Sequence, residues 1–218
     1  LRLMAHYSKD QIMLDSFKNN EDIHKRTASE VFSVEMENVT DEMRRRAKTI
    51  NFGLLYGMSA FGLSNQLSVS RAEAEEFLLN YFAKYSSIKV FMKDVVEQAK
   101  KDKYVSTLYG RKIHVPNIES PNYMLRQASE RAAVNGPLQG SAADIIKRAM
   151  INIFKESGKN EKDVKMILQV HDELVFEVPE DYDEKNISYL IDLMEESSSI
   201  DVPLKVEYGF GTNWREAH

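Results

Sequence analysis

The sequence contains no cysteine. That excludes a disulfide framework and any thiolate metal site, and it makes a reducing, intracellular setting the expected one. No apolar run is long enough to cross a bilayer, so a soluble, cytoplasmic protein with no membrane partner is expected. An excess of positive charge is also missing: 29 Lys and Arg face 34 Asp and Glu, for a formal net charge of −5. Any contact with nucleic acid must then rest on local basic patches and not on the field of the whole chain. The first residues, Leu1-Arg2-Leu3-Met4-Ala5-His6-Tyr7-Ser8, hold no initiator Met, no signal-peptide pattern and no helix cap. They read as the middle of an element whose earlier part is absent.

What is present is an ordinary globular composition, 43% hydrophobic and 29% charged over 218 residues. Such a chain can bury a substantial core as one large domain or two subdomains. Its most informative stretch is Asp41 to Gly57. Thr40 or Asp41 can cap a helix there, Asp41 and Glu42 suit the positive N-terminus, and Gly57 offers a stop. Stepping by four from Arg44 gives Lys48, Phe52 and Tyr56, each step drifting only about 40° around a helix axis. Two cations and two aromatics therefore share one stripe roughly 18 Å long, about the reach of a triphosphate and its base. Arginine forks onto phosphate oxygens, lysine supplies a compact ammonium, and aromatic faces stack on sugar or base. The same stripe also fits a surface helix with a solvated basic face and a buried aromatic one.

Along the chain, Asp10 to Asn19 and Asp22 to Phe32 read as two short helices, with His24 near the start of the second beside Lys25 and Arg26. Taken alone, His24 fits an ordinary surface or capping role. Ser59 to Leu67 is another helix, and Ser70-Arg71-Ala72-Glu73 is a capping box opening a long one with a break near Tyr85-Ser86-Ser87. Tyr104 to Val115 reads as a small hairpin and Pro116 to Asn122 as a loop. Leu125 to Ile153 is helical, with an interruption expected near Asn135-Gly136-Pro137, while Gly140 and Ser141 permit close backbone approach. Arg131, Asn135 and Gln139 again step by four, a polar row suited to minor-groove acceptors or simply to solvent.

The second chemically loaded stretch is Lys165 to Val178, two β-branched apolar runs flanking His171-Asp172-Glu173. A hairpin with those three residues at its turn is expected. Adjacent carboxylates there call for solvent or a cation, and Mg²⁺, which takes oxygen ligands, is the cation expected. An exposed acidic turn is the alternative. Asp183 to Ser198 reads as an amphipathic helix and Leu204 to Gly209 as a final strand.

The run from Arg44 to Gly57 resembles the nucleotide-binding fingers motif of family A DNA polymerases, the bacterial DNA polymerase I type. Gln169-Val170-His171-Asp172-Glu173 is similar to that family's catalytic palm motif. The resemblance extends to Asp22-Ile23-His24, to Arg131-Ala132-Ala133-Val134-Asn135, to the run from Gln139 to Ala149, and to the closing Asn213-Trp214-Arg215-Glu216-Ala217-His218. Several long motifs in the right order make the match specific.

The resemblance implies an α+β fold, a mostly helical fingers subdomain with part of an antiparallel-sheet palm. Residues 1–11 would be a palm remnant, 12–140 the fingers and 141–218 the C-terminal part of the palm. It implies template-directed transfer of a deoxynucleoside monophosphate from a dNTP to a primer 3′ end, in replication and repair, with two Mg²⁺ ions. His24, Arg44, Lys48, Phe52 and Tyr56 would bind the dNTP, and Lys48 would also protonate the leaving pyrophosphate. Arg131, Asn135, Gln139 and His171 would contact the DNA primer–template. Asp172 would ligate metal, with Glu173 beside it in a lesser role. Phe52, lacking a hydroxyl, is associated in this family with rejecting sugars without a 3′-OH.

One departure stands out. Family members carry a further metal-binding Asp in an Asp-Tyr-Ser-Gln-Ile-Glu run directly before the residues matching Leu1-Arg2. The chain is thus expected to need a preceding palm and thumb segment as partner and to be inactive alone, with its choice of sugar unreadable. A non-catalytic nucleotide- or nucleic-acid-binding remnant and a single-subunit RNA polymerase fragment are the competing readings. The Phe52-Gly53 pair and the Trp-containing tail favour the DNA enzyme over the RNA one.

Overall fold

The computed structural model describes residues 1–160, 164–182 and 184–217. It is an α+β chain of helices and two separate two-stranded antiparallel sheets. It divides into two compact units, one of residues 1–141 with 200–202, the other of residues 142–199 with 203–218.

The first unit begins with α1 (Arg2–Ser8), α2 (Gln11–Lys18) and α3 (Ile23–Phe32). Local chemistry sets their starts: the Asp10 side chain accepts from the Met13 N–H, and Asp22 accepts from the N–H groups of His24 and Lys25. A short 3₁₀ turn at Met36–Asn38 leads to α4 (Asp41–Leu55), capped by Thr40 through the Met43 N–H. Gly57, just past its end, has φ +66°, the left-handed conformation that glycine adopts most readily. Ala47, Ile50, Asn51 and Leu54 form the buried stripe of α4, which turns Arg44, Lys48, Phe52 and Tyr56 the other way. Next come α5 (Ala60–Leu67) and α6 (Arg71–Lys84), the latter with the Ser70–Glu73 capping box formed. The chain breaks at Tyr85 and continues as α7 (Ser86–Asp102). Met4, Met13, Ile50, Leu63, Tyr81, Tyr85 and Ile88 fill the core between these helices.

The hairpin of β1 (Tyr104–Ser106) and β2 (Lys112–His114) packs through Val105 and Val115 in a smaller cluster with Ala99 and Ala133. It lies against α8 (Tyr123–Asn160), whose residues to Ser141 belong to this unit and the remainder to the second. The interruption expected near Asn135-Gly136-Pro137 does not occur: α8 runs on through Pro137. Pro137 has no N–H to give the Ala133 carbonyl, yet the two glycines beside it let the helix sit directly on the hairpin. A Cβ at Gly136 would lie 2.9 Å from Val105 Cγ2, and one at Gly140 would lie 2.6 Å from Thr107 Cγ2. Ser141 Oγ accepts from the Leu108 N–H at 2.8 Å, so tertiary packing outweighs the local cost of the proline.

In the second unit, β3 (Lys165–Val170) and β4 (Glu173–Glu177) form an antiparallel hairpin with an extra residue, Ile167, between the pairs Met166–Phe176 and Leu168–Val175. Its turn is shorter than expected. Only His171 and Asp172 form it, His171 taking φ +52°, while Glu173 already belongs to β4 opposite Val170. Helix α9 runs Glu184–Glu195; Asp183, the expected start, lies outside the described residues, as does His218. The Tyr189 hydroxyl of α9 donates to Glu156 of α8 at 3.2 Å. The strand expected at Leu204 to Gly209 is absent. A strand needs a ladder partner, and both sheets among the described residues are closed pairs that do not include this segment. A short α10 (Trp214–Ala217) follows.

Candidate functional site

Two helix starts meet at the site. Asp22 uses one carboxylate oxygen to cap α3 and the other to accept from Arg44 Nε at 2.6 Å. Partial burial works to raise its carboxyl pKa, but the Arg44 hydrogen bond and charge, with the two backbone N–H groups, hold it below the usual range. The guanidinium of Arg44 is thus fixed beside the first turn of α3, where His24 stands.

His24 is half-buried. Its ring centroid lies 5.7 Å from that of Phe52, and its Nδ1 is 3.2 Å from the side-chain Nδ2 of Asn51. Burial first, opposed by Asp22 and reinforced by the positive charges of Arg44 and Lys48, holds its pKa below the ordinary imidazole value. The field of both cations therefore reaches His24, and the structure gathers His24, Arg44, Lys48 and Phe52 at one place on the α3–α4 surface.

The other arginines are committed elsewhere. Arg45 and Arg46 both pair back to Glu42 on their own helix, at 2.6 and 3.0 Å. Lys48 is exposed and has no hydrogen-bond or ion-pair partner among the described residues. Phe52 and Tyr56 are 39% and 53% exposed, which rules out the buried aromatic face of the alternative reading. The stripe is an open surface of one fixed cation, one unengaged cation and two accessible rings.

The end of this stripe adjoins α8. A Cβ at Gly57 would lie 2.6 Å from Arg131 Cγ, so the Arg131 stem packs on the glycine that follows Tyr56. From there Arg131 and Gln139 are exposed and Asn135 is half-buried along α8. Arg131, the first residue of the α8 row, thus meets the chain just past the end of the α4 stripe.

The hairpin turn belongs to the second unit. The His171 carbonyl accepts from Gln169 Nε2 at 2.8 Å, Asp172 is exposed and Glu173 is half-buried. Hard carboxylate oxygens at a solvated turn suit a divalent cation. Among the described residues, however, no group of three or more His, Asp or Glu gathers as a metal site. The pair fits as part of a donor set and does not complete a two-ion one.

Sequence reasoning missed Asn51. It is wholly buried, with its Nδ2 3.0 Å from Thr27 Oγ1, and Thr27 in turn lies 3.4 Å from the Tyr85 hydroxyl. The available signal was an amide on the apolar stripe of α4, between Ala47, Ile50 and Leu54, where a polar group must find a partner.

The sequence model of DNA polymerase family A matches residues 1–216. The chain is 49% identical to DNA polymerase I of Pseudomonas aeruginosa over 221 residues, covering 100% of this chain and 24% of that protein. It is 43% identical to DNA polymerase I of Bacillus subtilis over 217 residues, covering 100% of this chain and 25% of the relative. The chain thus spans about a quarter of the length of these curated relatives. A solved structure, the POL domain of Pol1 from M. smegmatis in complex with DNA primer-template and dNTP, superposes with a TM-score of 0.95 at 44% identity, over 99% of this chain and 38% of that one.

Proposed function

We propose a function from the premise that this chain belongs to DNA polymerase family A: it is the part of a DNA-directed DNA polymerase that holds the incoming dNTP and carries part of the catalytic palm. The observation that carries the reading is the gathering of His24, Arg44, Lys48 and Phe52 on one face, with Lys48 left unengaged by the described residues. Arg44, steadied by Asp22, forks onto phosphate oxygens, and Lys48 supplies a compact ammonium to the same triphosphate and a proton to the leaving pyrophosphate. Phe52 packs on the sugar and Tyr56 sits by the nascent pair. Arg131, Asn135 and Gln139 contact the primer–template along α8, and His171 lies near the primer terminus.

In this reading residues 12–140 serve as fingers, 141–218 as the C-terminal part of the palm and 1–11 as a further palm segment. Asp172 is a metal ligand with Glu173 beside it, and Mg²⁺ is the divalent ion that such oxygen donors favour. When bound, divalent ions supply charge neutralisation at the phosphates and activation of the 3′ oxygen. Asp172 and Glu173 alone are too few for that, so the reaction requires the upstream palm and thumb of the same polymerase. The setting is cytoplasmic, where DNA and dNTP are found; no helix among the described residues is long and apolar enough to cross a membrane.

The competing reading, a nucleotide-binding remnant without catalysis, draws on the incomplete donor set at the hairpin. Primer extension separates the two. The chain alone is expected to extend no primer, and the chain joined to the upstream segment of a family A polymerase is expected to extend one in a metal-dependent way. No extension by the joined protein would sink the enzyme reading.

A further inference from the structure

Beneath the α3–α4 face lies a closed polar relay whose donors and acceptors can be counted. Thr27 has one hydroxyl proton, and the Ile23 carbonyl 2.8 Å from its Oγ1 can only accept, so the proton goes there. Asn51 Oδ1, at 3.3 Å, is a longer and competing acceptor for it. With its proton committed to Ile23, Thr27 Oγ1 is left to accept, from the Tyr85 hydroxyl at 3.4 Å and from Asn51 Nδ2 at 3.0 Å. The NH₂ side of the Asn51 amide therefore faces Thr27, and its second proton is directed at His24 Nδ1, 3.2 Å away. A ring nitrogen that receives a proton from an amide has none of its own. Thr27 and Asn51 are both wholly buried, so no solvent is at hand to exchange these roles.

We infer that Asn51 is a positioning residue that fixes His24 as the neutral tautomer carrying its proton on Nε2. Protonating Nδ1 would set one N–H against another, so the imidazolium is disfavoured by geometry as well as by its surroundings. The two side-chain cations near the ring point the same way. Arg44 and Lys48 of α4 oppose a third positive charge, and Asp22, at the start of α3, favours one. The ring then offers an Nε2–H donor, with its protonation to the imidazolium pushed below the ordinary imidazole range. Its use on a phosphate oxygen rests on the function proposed above; the tautomer itself does not.

The test is a two-bond ¹H–¹⁵N correlation spectrum of the five histidines in the ¹⁵N-labelled chain, recorded between about pH 5 and 8. His24 is identified by the signals lost in His24→Gln. The wild-type chain is expected to show the Nε2–H pattern for His24 throughout, with any protonation shifted below the ordinary imidazole range. In Asn51→Asp, a carboxylate can only accept; the proton is expected to move to Nδ1 and the pKa to rise above the wild-type value. Thr27→Val removes the acceptor that orients the amide and is expected to give a mixture of both tautomers. An Nδ1–H pattern or a mixture in the wild-type chain overturns the inference, whether or not either variant folds. Titration of wild type with dCTP separates the two claims: His24 signals that stay in place while retaining the Nε2–H pattern count against the triphosphate reading alone.

Discussion

On the α3–α4 face Arg44 and His24 are each held by a neighbour, while Lys48 is unengaged among the described residues. Asp22 fixes Arg44 while capping α3, Asn51 contacts His24, and Ile50 and Leu54 anchor α4 in the core beneath. At the β3–β4 turn Asp172 stands exposed on a two-stranded hairpin whose Ile167 and Leu168 are themselves 58% and 46% exposed. The first region is preorganised within its own unit; the second has one carboxylate in solvent, another half-buried, and no third ligand nearby among the described residues. Binding a triphosphate needs a few fixed cations, whereas holding two metal ions needs several carboxylates brought from separate segments. On the function proposed above, that difference in chemistry accounts for the difference in construction.

The widest contrast is expected in packing. Ile50→Ala, under the α4 stripe, should cost about 2–5 kcal/mol of stability because Ile50 is wholly buried. Leu168→Ala on the hairpin should change it by no more than about 0.5 kcal/mol. Urea unfolding of both variants checks this, and equal losses would erase the distinction between an anchored and an open region.

Gly57→Ala probes the contact between the stripe and α8. A left-handed non-glycine residue costs about 1–2 kcal/mol, and the new Cβ would also meet the Arg131 stem at 2.6 Å. Combining it with Arg131→Ala should recover the steric part of the loss and leave the backbone part, again read from urea midpoints. Full recovery would mean that the backbone conformation carries no cost.

Asp22→Ala is expected to cost about 0.5–2 kcal/mol through the lost cap. Its pH dependence has a definite sign. The folded carboxyl is held below its unfolded value, so Asp22 stabilises the fold above about pH 3.9 and the contribution is lost as pH falls through the lower folded value. Thermal melts of wild type and Asp22→Ala should therefore converge in acid and separate toward neutrality; a gap that widens in acid would contradict the Arg44–Asp22 linkage.

Much of this construction is written locally. Asp22, Thr40 and Ser70 announce helix starts by side-chain chemistry that acts within three residues, and the four-residue steps of Arg44, Lys48, Phe52 and Tyr56 need only helix geometry. What escaped depends on distant partners. Pro137 does not break α8 because Gly136 and Gly140 seat the helix on a hairpin some thirty residues earlier. Leu204 to Gly209 has strand-like residues but no ladder partner. Asn51 is misplaced on an apolar stripe until Thr27 and His24, on another helix, are set beside it. The candidate site residues were read from motif order, whereas Asn51, which contacts one of them, carried no motif signal that was read.

The central claim is that the triphosphate face is complete without the carboxylate turn. Equilibrium titration of the chain with dCTP in EDTA, by calorimetry, tests it directly. Saturable binding is expected, weakened in Lys48→Ala by roughly 10- to 150-fold, the equivalent of about 1.5–3 kcal/mol for a charged hydrogen bond, and unchanged in Asp172→Asn. Binding that survives Lys48→Ala but is lost in Asp172→Asn would contradict it.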